Sequence, residues 1–218
     1  MNTSTSWRVS IETSSRHERE AAYWDTVAEE NAPQDGSLRD NPWKRHRITG
    51  RLLKNASWVN QTVLEIGIGA GLAATAMQLC IGNCWNYLGT DVSPKFVRHA
   101  KTFGLNAVCA DVRQLPGVDG AYTRVIALDS LEHVHPDDRA QGYAEIARVT
   151  AQRGLLLINM PLLEEVFSGH DSQFDHRFGL DDLHLIERSG FLLQSYELYT
   201  TFDCEPERPY AFVVMTRQ

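Results

Sequence analysis

VLEIGIGAGL, residues 63–72, decides the fold of this chain. An apolar run interrupted by one acid, Glu65, leads into three glycines at alternate positions, Gly67, Gly69 and Gly71. Such a run reads as a buried strand that ends in a turn whose backbone can approach a ligand closely. The spacing excludes two common nucleotide loops. A dinucleotide turn reads G-x-G-x-x-G, which from Gly67 requires glycine where the chain has Leu72. A triphosphate loop needs a Lys after its last glycine, and none follows Gly71. Glu65 places negative charge near the strand end, which repels phosphates and suits a cationic ligand.

Outward from this turn, apolar strands alternate with helical patterns. Strands are expected over residues 62–67, 85–92, 106–111, 124–131, 154–161, 191–200 and 210–217. Helices are expected over 71–80, 93–104, about 136–149 and 179–190, with Ser93 as an N-cap and Pro94 at the first helical position. Continuous apolar strands separated by helices imply a parallel sheet covered on both faces. The last two strands are joined by a short loop with no helix, so an antiparallel hairpin closes the sheet. The expected fold class is therefore α/β: a Rossmann-like, seven-stranded, mostly parallel sheet with an antiparallel last strand and an N-terminal helical cap.

The remainder of the chain fits that frame. Residues 1–15 are rich in Ser and Thr and read as a mobile N-terminus. Residues 16–58 form the helical cap, with helices from Arg16 to Asn31 and from about Pro42 to Asn55 around a loop over 32–42. Residues 59–218 form the ligand-binding domain. The 218 residues are 43% hydrophobic and 22% charged, an ordinary globular balance. The net charge of −7 gives no global attraction to nucleic acid, and "WKRHR" (43–47) is the one dense basic stretch. No apolar run reaches the ~18 residues of a membrane span, and the N-terminus has no signal-peptide apolar core. A cytoplasmic location is expected, with Cys80, Cys84, Cys109 and Cys204 read as small buried thiols.

With these elements in order, the sequence resembles the class I S-adenosylmethionine-dependent methyltransferases over roughly residues 61–218. The resemblance implies that Glu65, Gly67, Gly69 and Gly71 wrap the methionine and ribose portion of S-adenosyl-L-methionine. Asp91 in "YLGTDVS" would accept from both ribose hydroxyls, since a carboxylate offers two acceptor oxygens to two adjacent donors, with Val92 beside it also at the cofactor. Asp111 in "CADVRQLP" would accept from the adenine amino group, with Val112 beside it also at the cofactor. Asp129, at the end of the fourth strand in "ALDSLEHV", would stand beside the methyl-transfer position.

The stretch "DSLEHVHPDD" (129–138) bears on mechanism. Asp129, Glu132 and His133 form D-x-x-E-H, similar to the metal-binding E-x-x-E-H of ubiquinone-pathway and small-RNA 2′-O-methyltransferases. "FDHRFGLDDL" (174–183) is similar to the segment that adds a further His in the RNA subgroup, here His176, although Gly179-Leu180 replaces that subgroup's Glu-Trp. Asp129, Glu132, His133 and His176 would hold Mg²⁺, Mn²⁺ or Zn²⁺, which would orient a substrate hydroxyl and lower its pKa. In the alternative, His133 packs locally and His176 lines a substrate pocket. Asp129, His133 and His176 are the candidate catalytic residues. His170 and His176 could each take a proton from a hydroxyl or amine. Tyr23 and Trp24, in "YWDTVAEE", line the substrate pocket or pack against the sheet edge.

The expected function is methyl transfer from S-adenosylmethionine to an oxygen or nitrogen of a small-molecule acceptor. Two alternatives stand beside it: a metal-dependent RNA or nucleoside 2′-O-methyltransferase, and a non-catalytic cofactor-binding partner protein. Exocyclic base methylation is disfavoured, because Asp129-Ser130-Leu131-Glu132 stands where those enzymes carry an acid-Pro-Pro-aromatic motif.

Overall fold

β1 (Thr62–Ile66) is buried at four of its five residues, and it lies inside the sheet because both of its edges are paired. The computed structural model describes residues 15–30, 42–162, 174, 176–201 and 208–218. Residues 1–14, most of the loop expected over 32–42, His170 and Cys204 fall outside them. The elements are α1 (Arg16–Glu30), α2 (Pro42–Asn55), β1, α3 (Leu72–Ile81), β2 (Asn86–Asp91), α4 (Pro94–Thr102) and β3 (Ala107–Cys109). They continue as β4 (Tyr122–Leu128), α5 (Pro136–Val149), β5 (Thr150–Pro161), α6 (Leu180–Arg188), β6 (Phe191–Thr201) and β7 (Arg208–Arg217).

The seven strands form one sheet in the order β3-β2-β1-β4-β5-β7-β6. β1 pairs in parallel with β2 and β4, β2 with β3, and β4 with β5. β7 is antiparallel to both β5 and β6, so the expected hairpin closes the sheet. The chain moves outward from β1 to β3 and then returns to place β4 on the other side of β1. That reversal opens a crevice at the carboxyl ends of β1 and β4, the place where open α/β sheets bind ligands.

Alternating strand residues feed two cores. Leu64 and Ile66 pack with Tyr143 and Ile146 of α5 and Ile186 of α6 on one face. Val63 packs with Met77 of α3 and Val97 of α4 on the other, where Ile48 and Leu52 of α2 join them. The helical cap thus shares its core with the sheet. Ser93 caps α4 as expected, accepting from the Phe96 N–H at 3.2 Å, and Pro94 opens the helix.

Three features depart from the sequence expectations. β5 starts at Thr150, four residues early, and its pairing with β4 is irregular between Tyr122 and Arg124. A single 3₁₀ turn at Leu131–His133 follows β4. Cys80, in the last turn of α3, and Cys109, the last residue of β3, are exposed free thiols and Cys84 is half-buried, because these positions lie at element ends and not in the strand centres that feed the cores. Among the described residues, no helix is long and apolar enough to cross a membrane.

A buried polar cluster joins α5 to α6. Arg139 Nη1 donates to Asp182 Oδ1 at 2.8 Å and to the Arg177 carbonyl at 2.8 Å. Tyr143 donates to the same carboxylate oxygen at 3.1 Å, and Asp182 Oδ2 accepts from the Gly179 N–H at 2.9 Å. Asp182→Ala leaves the Arg139 charge buried without its partner. We expect a loss of about 3–5 kcal/mol, read from urea unfolding, with Asp182→Asn retaining part of it.

Candidate active site

The turn after β1 is shaped by what lies against it. Gly67 has φ +69°, and a Cβ built there would land on the Cβ of Ser130, just past the end of β4. Gly69 also has positive φ, but a Cβ there meets nothing within 4 Å. Its backbone N–H donates to Asp91 Oδ2 at 2.9 Å. Gly71 does not line the cavity; it is the N-cap of α3, packed so that a Cβ would strike Leu105. The three glycines therefore answer three constraints: contact between β1 and β4, open space at the cavity, and helix entry.

This turn forms the floor of a cavity of about 340 Å³, within the range of small-molecule sites. Of the expected cofactor residues, Glu65, Gly67, Gly69, Asp91, Val92, Asp111, Val112 and Asp129 all line it. Asp91 is 8% exposed, and its Oδ1 accepts from the Ser93 N–H at 2.9 Å. Burial pushes its pKa up, and the Ser93 and Gly69 N–H groups oppose that.

Glu65 is 2% exposed and accepts a hydrogen bond from the Tyr87 hydroxyl. Burial, with the nearby Asp91 charge adding to it, pushes its pKa up to about 7, while the Tyr87 hydrogen bond pulls down. The fixed negative charge expected from the sequence is thus a carboxyl whose pKa is pushed up to about 7.

Asp111 sits at the other end of the cavity. Arg113 donates through Nε to Asp111 Oδ1 at 2.7 Å and through Nη2 to Oδ2, and its backbone N–H reaches Oδ1 at 2.8 Å. Burial opposes ionisation of Asp111, but these hydrogen bonds and the Arg113 charge hold its pKa below the usual value. α1 closes over this end. Arg16 Nη2 donates to Asp138 Oδ2 at 2.5 Å, and His17 reaches Arg113. Farther along α1, Asp25 Oδ1 accepts from Ser93 Oγ at 2.5 Å and from the Lys95 N–H at 3.1 Å.

Asp129 has φ +52°, the left-handed region for a residue with a side chain, which costs about 1–3 kcal/mol. Asn159 of β5 holds it there: its carbonyl accepts from the Asp129 N–H at 2.8 Å and its Nδ2 donates to Asp129 Oδ1 at 2.7 Å. Tyr199 of β6 in turn donates to Asn159 Oδ1 at 2.6 Å. His133 lines the cavity with its ring 4.5 Å from that of Trp24, which also lines it. Tyr23 packs instead on Trp24 and Phe174, at 5.1 and 4.9 Å, and does not line the cavity.

The expected metal ligands are not brought together. Among the described residues, no three His, Cys, Asp or Glu side chains are arranged to hold a metal ion. Asp129 is turned to Asn159, Glu132 is buried, and His133 packs on Trp24. His176 meets this region through its backbone N–H, which donates to the Glu132 carbonyl at 2.9 Å, while its ring packs 5.1 Å from that of His135. Asp175, like His170, lies outside the described residues.

Several cavity residues escaped the sequence reading. Glu20, Ile48, Phe96, Ser130 and Asp138 line the wall, beside His135 of the loop already singled out in the sequence. Ser130 carries a buried hydroxyl with no hydrogen-bond partner among the described residues. Its signal was its place inside the D-x-x-E-H segment. Glu20 and Trp24 are four apart on α1, which puts both on one helix face.

The strand order and a glycine turn facing the acid of β2 define the class I S-adenosylmethionine-dependent methyltransferase fold. Residues 63–154 match the family described as a methyltransferase domain. No curated protein matches the chain. Among solved structures, a putative methyltransferase from Haloferax volcanii, in complex with its Trm112 activator, superposes with a TM-score of 0.71 at 16% identity, over 91% of this chain and 96% of that one. The [4+2]-cyclase SpnF gives 0.65 at 17%, over 78% and 80%. A Haemonchus contortus phosphoethanolamine N-methyltransferase in complex with S-adenosyl-L-methionine gives 0.62 at 15%, over 78% of this chain and 52% of that one. At these identities the likeness is one of fold, and the cyclase shows that the fold hosts more than one reaction.

Glu65 gives the site a pH signature. The folded protein keeps a proton on Glu65 up to about pH 7, whereas the unfolded chain releases it near 4.5. Its contribution to stability is therefore complete below the unfolded value and lost as pH rises through the folded one. The shift corresponds to roughly 3 kcal/mol. In thermal melts of the ligand-free protein across this range, Glu65→Gln should flatten the decline seen in wild type.

Proposed function

We propose that this protein transfers the methyl group of S-adenosylmethionine to an oxygen or nitrogen atom of a small-molecule acceptor. The observation that carries the reading is one cavity whose wall joins the cofactor acids to Trp24 and His133. The residues fit the cofactor. The open position at Gly69 leaves backbone exposed to a ligand, and the Asp91 carboxylate is oriented by two N–H groups with acceptor capacity left for a diol. Glu65, Gly67 and Gly69 would hold the methionine and ribose portion, with Asp91 and Val92 at the ribose and Val112 at the purine. When bound, the cofactor would supply an electrophilic methyl group, with S-adenosylhomocysteine as the leaving group.

The chain's own residues then have two tasks. The acceptor must be aligned and unprotonated, and positioning supplies much of the rate. Trp24 offers an apolar face for the acceptor. His133, in its neutral form, takes the acceptor's proton. Asp129, held by Asn159, orients the reacting groups at the end of β4. His176 supports this wall through its contact with His135 and the Glu132 carbonyl. The metal-dependent RNA alternative needs a donor set that the described residues do not assemble. A non-catalytic binding role is separated by turnover: release of S-adenosylhomocysteine with an acceptor panel supports the enzyme, and binding without turnover on any acceptor supports the partner role.

S-adenosylhomocysteine at a hundredfold excess over its Kd should stabilise the protein by about 2.7 kcal/mol, while NAD gives no shift. Asp91→Ala removes both ribose contacts. Charge-assisted hydrogen bonds contribute roughly 1.5–3 kcal/mol each, so calorimetric affinity should fall at least tenfold. An unchanged Kd would place the ribose acid elsewhere.

A further inference from the structure

Asp111 is the residue that the family resemblance assigns to the adenine amino group, yet three donors from Arg113 already take three of the roughly four acceptor positions of its carboxylate. Its charge is compensated inside the protein, as its lowered pKa indicates. Glu20 presents the opposite case. It lies on the wall of the same cavity, half-buried, and no hydrogen bond reaches its carboxylate among the described residues. Burial, then the Asp111 charge beside it, pushes its pKa up, with His17 and Arg113 only partly offsetting this. An acceptor held inside a pocket without a protein donor gains most from a donor on the ligand.

The backbone that carries Glu20 is fixed on both sides. Arg16 is bonded to Asp138 one turn before it, and Asp25 is bonded to Ser93 and Lys95 beyond it. Trp24, one turn later on the same face, lines the cavity next to His133. α1 therefore presents an acid toward the Asp111 end and an aromatic ring toward the Asp129 end. We infer that Glu20 is the hydrogen-bond acceptor for the amino group of the cofactor's purine, which makes α1 part of the cofactor site. This rests on the proposed function. Asp111 then serves to fix Arg113, which with Asp138 anchors the start of α1.

Calorimetric titration of the full chain with two ligands tests this: S-adenosylhomocysteine, and S-inosylhomocysteine, in which an oxo group replaces the amino group. Wild type should bind the adenine form at least tenfold more tightly. Glu20→Ala should weaken the adenine form and bring the two ligands to similar affinity. Glu20→Gln keeps an acceptor and adds a donor for the oxo group, so it should narrow the wild-type preference by strengthening the inosine form. Melting temperatures without ligand establish that each variant is folded. A wild-type ratio retained in Glu20→Ala overturns the inference, the more so if Asp111→Asn abolishes it, since Asp111 would then be the acceptor. Equal binding of both ligands by wild type overturns it too, while leaving the methyltransferase reading standing. Binding of neither ligand to wild type overturns both.

Discussion

β1 and β4 approach each other so closely at their carboxyl ends that position 67 has no room for a side chain. Ser130 occupies the space a Cβ would need, and the positive φ at Gly67 turns the chain away from the sheet there. Everything at the site hangs on this contact. It places the turn after β1 beside the first residues after β4, so the acids of β1 and β2 and the Asp129 loop share one wall. It also lies where the strand order reverses, so the helices that follow β1 and β4 run to opposite faces and leave the crevice to be closed by α1. A glycine substitution here would act first on the cavity and only then on the core.

The electrostatics of the wall divide into satisfied and open groups. Asp111 is matched by Arg113, and Asp182, outside the cavity, by Arg139. Glu65 is matched by a hydroxyl instead of a cation, and burial accordingly raises its pKa toward neutrality. Glu20 accepts no hydrogen bond among the described residues, and the His17 and Arg113 charges only partly offset its burial. The proposed cofactor, cationic and with hydroxyl and amino donors, would complement this distribution: its charge would favour ionised Glu65, its diol would meet Asp91, and its amine would meet the Glu20 end. Buried acids without cations are costly in the free protein, and that cost becomes binding selectivity when the ligand carries the missing donors.

The Asp129 conformation shows a similar exchange between stability and site geometry. Its left-handed backbone persists because Asn159, itself fixed by Tyr199, binds both its N–H and its carboxylate. Tyr199 also lies 3.5 Å beneath the Arg51 guanidinium of α2. The last strands and the cap helix thus support a loop that neither of them touches in sequence.

The periodicity of apolar residues determined the strands and helices of this chain, because each strand's burial is written into its own residues. The glycines at 67, 69 and 71, the acid at 91 and the Ser93-Pro94 cap are local devices, and they were legible for that reason. The pairing of Asp111 with Arg113 lies two residues apart in the chain, yet its meaning was not local: only the arrival of α1 made it an anchor. The D-x-x-E-H spacing suggested a metal set, but spacing fixes neither side-chain direction nor what packs on it. Trp24, from more than a hundred residues away, decided the environment of His133. What the sequence alone determined is a parallel sheet with an acid-and-glycine turn for a cofactor. Tertiary structure alone decided which acids face the cavity with their acceptors still open, because hydrogen-bond satisfaction depends on neighbours that no window of sequence contains.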